Sequence, residues 1–128
     1  MRALLDTHVF LWWVSDDERL SPRARDVIGA GPDEILFSVV SAWEIVLKAA
    51  LGRLQVAPDP TSFVSEHLQA NSFTVLPMHL RHALAVADLP DHHRDPFDRM
   101  LIAQARSEGL AIISSDQDVA RYPVEVVW

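Results

Sequence analysis

Short, largely apolar runs alternate with longer amphipathic segments along this chain. The runs cover residues 3–5, 35–37, 73–76, 110–113 and 124–127. An apolar run bounded by polar or turn residues is typical of a strand that is buried on both faces of a sheet. The pattern therefore predicts about five strands in the interior of the protein.

The segments between these runs have the apolar spacing of helices. The predicted helices cover residues 8–14, 22–30, 60–70, 79–87 and 96–108, with a further helix that ends at Gly52 and a short helical turn before the last strand. Three of them begin at the pairs Ser21-Pro22, Asp59-Pro60 and Asp95-Pro96. Ser and Asp cap free backbone N–H groups, and Pro fits the first helical position, so these pairs predict helix starts.

Other residues predict where the remaining helices begin and end. Thr7 is the expected cap of the first helix, and Ser38 and Ser41 are alternative caps of the third. Gly31-Pro32 is expected to end the second helix, and Gly109 the last long one. Each of these predictions depends on the local backbone alone.

Strands that alternate with helices predict an α/β fold. We expect a three-layer α/β/α sandwich with a central parallel sheet of about five strands, because buried parallel strands need helices on both faces. A length of 128 residues suits one domain, residues 1–128. Ligands in such folds bind beyond the carboxyl ends of the strands.

Composition limits the chemistry. The sequence has no cysteine, so metal ligands would be oxygen or nitrogen atoms, which favours hard cations such as Mg²⁺ or Mn²⁺. The net charge of −7 argues against broad, non-specific nucleic-acid binding, but not against a nucleic-acid substrate held through metal ions. With no signal peptide and no long apolar run, we expect a soluble, cytoplasmic protein without a membrane partner.

Four acids lie close to the carboxyl ends of predicted strands. Asp6 and Asp116 directly follow the first and fourth strands, Glu44 lies in the helix after the second, and Asp98 lies in the first turn of a later helix. Carboxylates brought together in a crevice either hold protons or bind divalent cations. Two hard cations held roughly 4 Å apart by carboxylates would activate a water and stabilise the leaving oxygen in phosphodiester hydrolysis.

Each of these acids also has a purely structural explanation. Asp6 can end a strand or share the capping of the first helix, and Asp116 can form a turn with the serines before it. Glu44 has Lys48 at the i+4 position, a common surface ion pair. The helix dipole would stabilise the negative charge of Asp98 in the first turn of its helix. Spacing alone therefore leaves both interpretations open.

Residues 92–99 concentrate two histidines, two arginines and two acids before an apolar run. Asp95 is interpreted as a helix cap, and it is an additional candidate for a metal ligand. His92 and His93 are interpreted as surface residues of the loop. Arg94 and Arg99 can orient a carboxylate or contact a substrate phosphate, or form solvated ion pairs.

Five segments carry a resemblance to a known family. They are LLDTH at residues 4–8, SAWEI at 41–45, HRDPFDRMLIAQA at 93–105, SSD at 114–116 and VVW at 126–128. Together they resemble PIN-domain proteins, and most closely the VapC toxins of type II toxin–antitoxin systems. The resemblance covers essentially the whole chain, and DPFDR is its most specific part.

The resemblance implies a Mg²⁺- or Mn²⁺-dependent endoribonuclease that a cognate antitoxin neutralises, and that forms a homodimer or a higher assembly with it. By motif position, the acidic site of the family falls on Asp6, Glu44, Asp98 and Asp116. The resemblance therefore favours the metal-site interpretation of these acids over the structural one.

We accordingly expect a toxin that hydrolyses single-stranded or loop RNA by metal-activated water. Thr7, Ser114 and Arg99 are expected to support the acids. The alternative is a non-catalytic metal- or partner-binding module of the same fold. An aspartate-nucleophile phosphotransferase would need an acid where His8 stands, and a receiver domain would need a lysine after a late strand, where the sequence has none.

Overall fold

The computed structural model describes residues 1–30 and 33–128. These residues form five strands and six α-helices, and two helices follow each of the first three strands. The strands are β1 (Arg2–Leu5), β2 (Glu34–Ser38), β3 (Thr74–Leu76), β4 (Ala111–Ile113) and β5 (Val126–Val127). The helices are α1 (Thr7–Val14), α2 (Pro22–Gly29), α3 (Val39–Ala50), α4 (Pro60–Asn71), α5 (Leu80–Ala85) and α6 (Pro96–Glu108), with 3₁₀ turns at Val86–Asp88 and Val119–Arg121.

All neighbouring strands pair in parallel, in the order β3-β2-β1-β4-β5. In the central strand, Leu4 lies opposite Leu36 on one side and Ile112 on the other. The chain leaves β1 toward β2 and β3, and later returns to place β4 on the opposite side of β1. The strand order therefore reverses between β1 and β4, which is where ligands bind in open α/β sheets.

Alternate residues of β1 enter two different cores. Ala3 and Leu5 pack with residues of α1, α2 and α4, whereas Leu4 packs with residues of α6 on the other face. Successive side chains of a strand point to opposite faces. Helices thus cover both faces of the sheet, and the predicted α/β/α sandwich with a parallel sheet of five strands is confirmed.

The helix starts correct one prediction and decide another. Asp6, not Thr7, is the N-cap of α1, since its Oδ1 accepts a hydrogen bond from the His8 N–H at 3.2 Å and Thr7 is already helical. Ser38 caps α3 by accepting from the Val40 N–H at 3.0 Å, whereas Ser41 lies within the helix. The predicted stop at Gly31-Pro32 falls outside the described residues. Gly109 ends α6 in the left-handed conformation, as expected.

A buried polar contact joins α3 to α6. Ser38 Oγ, at the start of α3, donates a hydrogen bond to Gln104 Oε1 of α6, and the Gln104 amide donates to the Pro77 carbonyl oxygen at 3.3 Å. Both side chains are fully buried. A buried and satisfied polar contact allows one arrangement of the two helices, because shifting either would leave polar atoms unpaired. This contact fixes the helices that carry Glu44 and Asp98.

In the part of the chain that the structure describes, no helix is both long and apolar enough to cross a membrane.

Candidate active site

Asp6 and Ser114 lie side by side at the ends of β1 and β4. The Asp6 N–H donates to the Ile113 carbonyl oxygen at 3.0 Å, which continues the strand pairing beyond Leu5. Ser114 Oγ donates to Asp6 Oδ2 at 2.6 Å. Burial raises the pKa of the Asp6 carboxyl, and the Ser114 hydrogen bond opposes that effect only in part. A buried acid that is costly to ionise therefore lies at the point where the strand order reverses between β1 and β4.

Asp116 is held by a turn that begins at the same serine. Ser114 Oγ accepts a hydrogen bond from the Asp116 N–H at 3.1 Å, and Asp116 Oδ1 accepts from the Asp118 N–H at 2.8 Å. The turn interpretation of Asp116 is thus correct, and it occupies one carboxylate oxygen. Ser114 supports two of the predicted acids, because its hydroxyl donates to Asp6 and accepts from the backbone of Asp116.

Glu44 is buried, and its ion-pair partner Lys48 is half-buried. Its side chain is 2% exposed, and Lys48 Nζ contacts Oε2. Glu44 Oε1 is buried without any hydrogen-bond partner among the described residues. The expected i,i+4 pair exists, but it is not a surface pair. A buried carboxylate oxygen without a donor is costly, and it is suited to a cation that enters from outside.

Thr7 connects the first acid to the helix of the second. Thr7 Oγ1 and Ser41 Oγ are hydrogen-bonded at 2.8 Å, and both are buried. Thr7 directly follows Asp6, and Ser41 lies one turn before Glu44. Thr7 therefore supports the acids by joining α1 to α3.

Asp98 lies in the first turn of α6, and its carboxyl group is difficult to ionise. The pKa of Asp98 is raised from 3.8 to about 8, first by burial and then by the negative charges of Asp6, Asp95, Glu44 and Asp116. The acids predicted from distant segments therefore share one electrostatic environment. Asp98 cannot ionise easily unless positive charge enters the site.

Asp95 is the cap of α6. Its Oδ1 accepts hydrogen bonds from the N–H groups of Phe97 at 2.9 Å and Asp98 at 3.0 Å. Pro96 takes the first helical position, as the Asp-Pro pattern predicts. The cap fixes the helical turn that carries Asp98. Asp95 also contributes negative charge to the site, as the pKa of Asp98 shows.

The acidic side chains of the site have the chemistry of ligands for a divalent cation. Within residues 1–30 and 33–128, no three His, Asp or Glu side chains are already placed around one point at metal-binding distance. Two observations nevertheless fit a cation: Glu44 Oε1 has no hydrogen-bond partner among the described residues, and burial together with the neighbouring negative charges raises the pKa of Asp98. Both costs would be relieved by a hard cation with oxygen ligands. The residues therefore fit such an ion by charge and by chemistry.

His93 and Tyr122 are site residues that sequence analysis missed. His93 Nε2 lies 3.4 Å from Asp98 Oδ2, and His93 Nδ1 lies 2.8 Å from the Tyr122 hydroxyl. The interpretation of His93 as a plain surface residue is wrong, because Tyr122 covers it. Arg99 donates to the Tyr122 hydroxyl at 3.0 Å and to the Pro90 carbonyl oxygen at 2.8 Å. Arg99 thus supports Asp98 indirectly, through Tyr122 and His93.

The aromatic residues of α1 pack within the protein. Phe10 is fully buried in the core. Trp13 Nε1 donates to Asn71 Oδ1 at 2.9 Å, and Trp12 packs against the ring of Trp128 with the ring centres 5.9 Å apart. These contacts join α1 to α4 and to the end of the chain.

Comparison with known proteins places this arrangement in context. A family model described as PIN domain matches residues 3–125. The chain is 31% identical over 132 residues to Ribonuclease VapC22 of Mycobacterium tuberculosis (strain ATCC 25618 / H37Rv), and the match covers 98% of each chain.

Two solved structures share the fold at low sequence identity. One is VapBC2 from Rickettsia felis bound to a DNA fragment from their promoter, with a TM-score of 0.74 and 10% identity over 99% of this chain and 98% of that one. The other is DNA-bound VapBC from Salmonella typhimurium, with a TM-score of 0.73 and 16% identity over 99% of this chain and 97% of that one.

Proposed function

This chain belongs to the PIN-domain family, and on that premise we propose that it is the toxin of a type II toxin–antitoxin system and acts as a divalent-metal-dependent endoribonuclease. The observation that carries the proposal is the raised pKa of Asp98, which comes first from burial and then from the negative charges of three acids from distant segments and of the cap residue Asp95. The relative at 31% identity is a ribonuclease by name, which supports RNA as the substrate. The proposal covers residues 1–128 as one domain that acts in the cytoplasm.

Asp6, Glu44, Asp98 and Asp116 are the residues that would hold Mg²⁺ or Mn²⁺. When bound, such an ion lowers the pKa of a water and stabilises charge on the phosphoryl group and the leaving oxygen. No protein nucleophile is required. The protein holds these carboxylates in place, and they lack compensating positive charge until an ion binds.

The residues around the acids orient them. The hydrogen bond from Ser114 to Asp6 Oδ2 leaves Oδ1 of that carboxylate facing the start of α1. Asp95 fixes the first turn of α6, and His93 contacts the carboxylate of Asp98. Side chains held by packing and by hydrogen bonds keep a site near its productive geometry, which lowers the cost of assembling it when substrate binds.

The proposed partner is a cognate antitoxin. The structural relatives include VapBC toxin–antitoxin complexes, which supports this assignment. The chain has a net charge of −7, and its acids are concentrated at the carboxyl edge of the sheet. The inhibitory part of such a partner would therefore carry arginine or lysine and would compete with metal and RNA for the carboxylates.

We further expect a homodimer or a higher assembly with the antitoxin. Trp43 of α3 is 60% exposed, and Leu80 and Leu84 of α5 are 75% and 64% exposed. Large apolar side chains that share exposed helix faces are typical of protein–protein interfaces. Sedimentation of the purified chain at micromolar concentration should give the mass of two copies. A monomer at that concentration would contradict self-association through these faces.

The activity is tested by incubating purified protein with a single-stranded RNA. We expect cleavage in Mg²⁺ or Mn²⁺, no cleavage in excess chelator, and recovery when metal is restored, because the acids repel each other and the RNA phosphate unless cations are bound. Cleavage that continued in chelator would contradict metal dependence. A protein that bound the ions without cutting any RNA would instead be the non-catalytic module.

A further inference from the structure

A cavity of about 340 Å³ adjoins the acidic site. Thr7 and Glu44 line its wall, so the cavity lies directly beside the proposed metal ligands. Its size lies at the lower end of the range for small-ligand pockets, which is about 300–1,000 Å³. None of the residues that supply the proposed metal site, apart from Glu44, lines it. The cavity therefore lies beside the reacting centre, and the metal site does not account for it.

The rest of the wall combines apolar and basic side chains. Leu11 of α1, Ile45 of α3 and Leu54 form an apolar surface, while Lys48 and Arg53 provide positive charge at the same cavity. Lys48 is the only lysine in a chain of net charge −7. Two cations beside an apolar surface match a ligand with one anionic and one apolar part.

The end of α3 holds these two cations next to each other. Gly52 has a φ of +72°, and the Arg53 N–H donates to the Lys48 carbonyl oxygen at 2.9 Å, while the Gly52 N–H donates to the Ala49 carbonyl oxygen at 3.1 Å. This pair of bonds is a Schellman helix ending, which favours glycine at the left-handed position. The backbone of Arg53 is therefore tied to the turn that carries Lys48.

Arg53 is available to an external anion. Lys48 already contacts Glu44, but Arg53 forms no ion pair with any residue of 1–30 or 33–128. Its side chain is exposed. An arginine that lines a cavity without an internal partner is suited to the planar, bidentate recognition of a phosphate.

We infer that this cavity holds one nucleotide of the substrate next to the bond that is cut, with its phosphate on Arg53 and Lys48 and its base on the apolar wall. The inference rests on the proposed nuclease function. Single-stranded RNA can present an unstacked base to such a wall, and phosphate contacts would fix the register of the chain on the enzyme. Arg53 is accordingly a substrate-positioning residue outside the metal site.

The test compares Arg53→Gln and Arg53→Lys with the matched control Arg23→Gln, which removes the charge of an exposed arginine on α2. Steady-state cleavage of a short single-stranded RNA is measured in Mg²⁺. We expect Arg53→Gln to raise KM about 10-fold with kcat within about twofold, because the lost contact binds substrate and transition state alike. Arg53→Lys should restore part of the loss, and Arg23→Gln should behave as the wild type.

A second measurement does not depend on cleavage. Nucleoside 5′-monophosphates are titrated into the metal-free protein in chelator, and we expect saturable binding that Arg53→Gln weakens at least about fivefold and Arg23→Gln leaves unchanged. Thermal melting of each variant controls for folding.

The outcomes separate this inference from the proposed function. If the wild type cuts RNA and Arg53→Gln has the wild-type KM, the nucleotide site is wrong and the nuclease assignment stands. If KM rises equally in Arg23→Gln, general charge and not this cavity holds the RNA, and the inference is again overturned. If nucleotides bind in an Arg53-dependent way but no RNA is cut, the cavity is supported and the nuclease function is what fails.

Discussion

Asp6→Asn is expected to abolish RNA cleavage, with a loss of more than about 100-fold in kcat/KM, while the fold is retained. Loss of residues that merely support metal ligands costs about 10–100-fold, so loss of a charged ligand should cost more. Asparagine is as good an N-cap as aspartate, so α1 keeps its start. The amide can also meet the Ser114 hydroxyl, which is able to accept as well as donate. The change therefore removes the charge and keeps the shape.

The matched control for this variant is Asp26→Asn, which neutralises an exposed acid of α2. Both variants are assayed with the same RNA and the same Mg²⁺ concentration, and their circular dichroism spectra and melting temperatures are compared with the wild type. Cleavage by Asp6→Asn at more than about a tenth of the wild-type rate would contradict the placement of Asp6 among the metal ligands, because a lost charged ligand should cost far more. A loss shared with Asp26→Asn would indicate a general effect of net charge.

Much of the fold follows from local patterns in the sequence. The strands and helices were predictable because apolar runs and Asp-Pro or Ser-Pro pairs depend on a few neighbouring residues. The predicted cap of α1 was wrong for the same reason. Asp6 and Thr7 are adjacent, and both can cap a helix. Which of them does so is decided by the backbone only when β1 pairs with β4. Local patterns identify an element more reliably than its first residue.

The site was predictable as a set of acids but not as an arrangement. Parallel strands bring their carboxyl ends to one edge, so the convergence of Asp6 and Asp116 could be expected. The covering of His93 by Tyr122 could not, because these residues are far apart in sequence and meet only through tertiary packing. The cavity at Arg53 likewise depends on how the end of α3 packs beside α1. Contacts of this kind leave no periodic signal in the chain.

Asp98→Asn is expected to stabilise the metal-free protein above neutral pH and to remove the proposed activity. The pKa of Asp98 is about 8 in the folded protein and near 3.8 in the unfolded chain. The folded state therefore binds the proton more tightly, and the free energy of unfolding must fall as pH rises between about 4 and 8. This contribution is fully present below pH 4 and lost above pH 8. Asparagine cannot ionise, so Asp98→Asn does not lose this stability at high pH.

The measurement is urea unfolding in chelator at pH 5 to 8.5. Near pH 8.5, Asp98→Asn should exceed the wild type by about 2 kcal/mol or more, since each unit of pKa shift corresponds to about 1.4 kcal/mol and part of the shift can relax. The difference should shrink toward pH 5. Asp59→Asn is the control, because Asp59 caps α4 by the same Asp-Pro device and the Ser62 N–H holds its pKa below the usual value. The pH dependence of its effect should lie below pH 4, so its difference from the wild type should stay constant between pH 5 and 8.5.

Metal should act in the opposite direction from the substitution. Excess Mg²⁺ should stabilise the wild type most at high pH, where the carboxylates are ionised and repel each other, and should stabilise Asp98→Asn less, because a ligand that binds only the folded state adds stability according to its affinity. Wild-type stability that stayed flat or rose between pH 5 and 8 in chelator would contradict the crowding of acids around Asp98. The same carboxylate would then be neither costly to ionise nor in need of a cation, and the physical basis for placing the metal there would be lost.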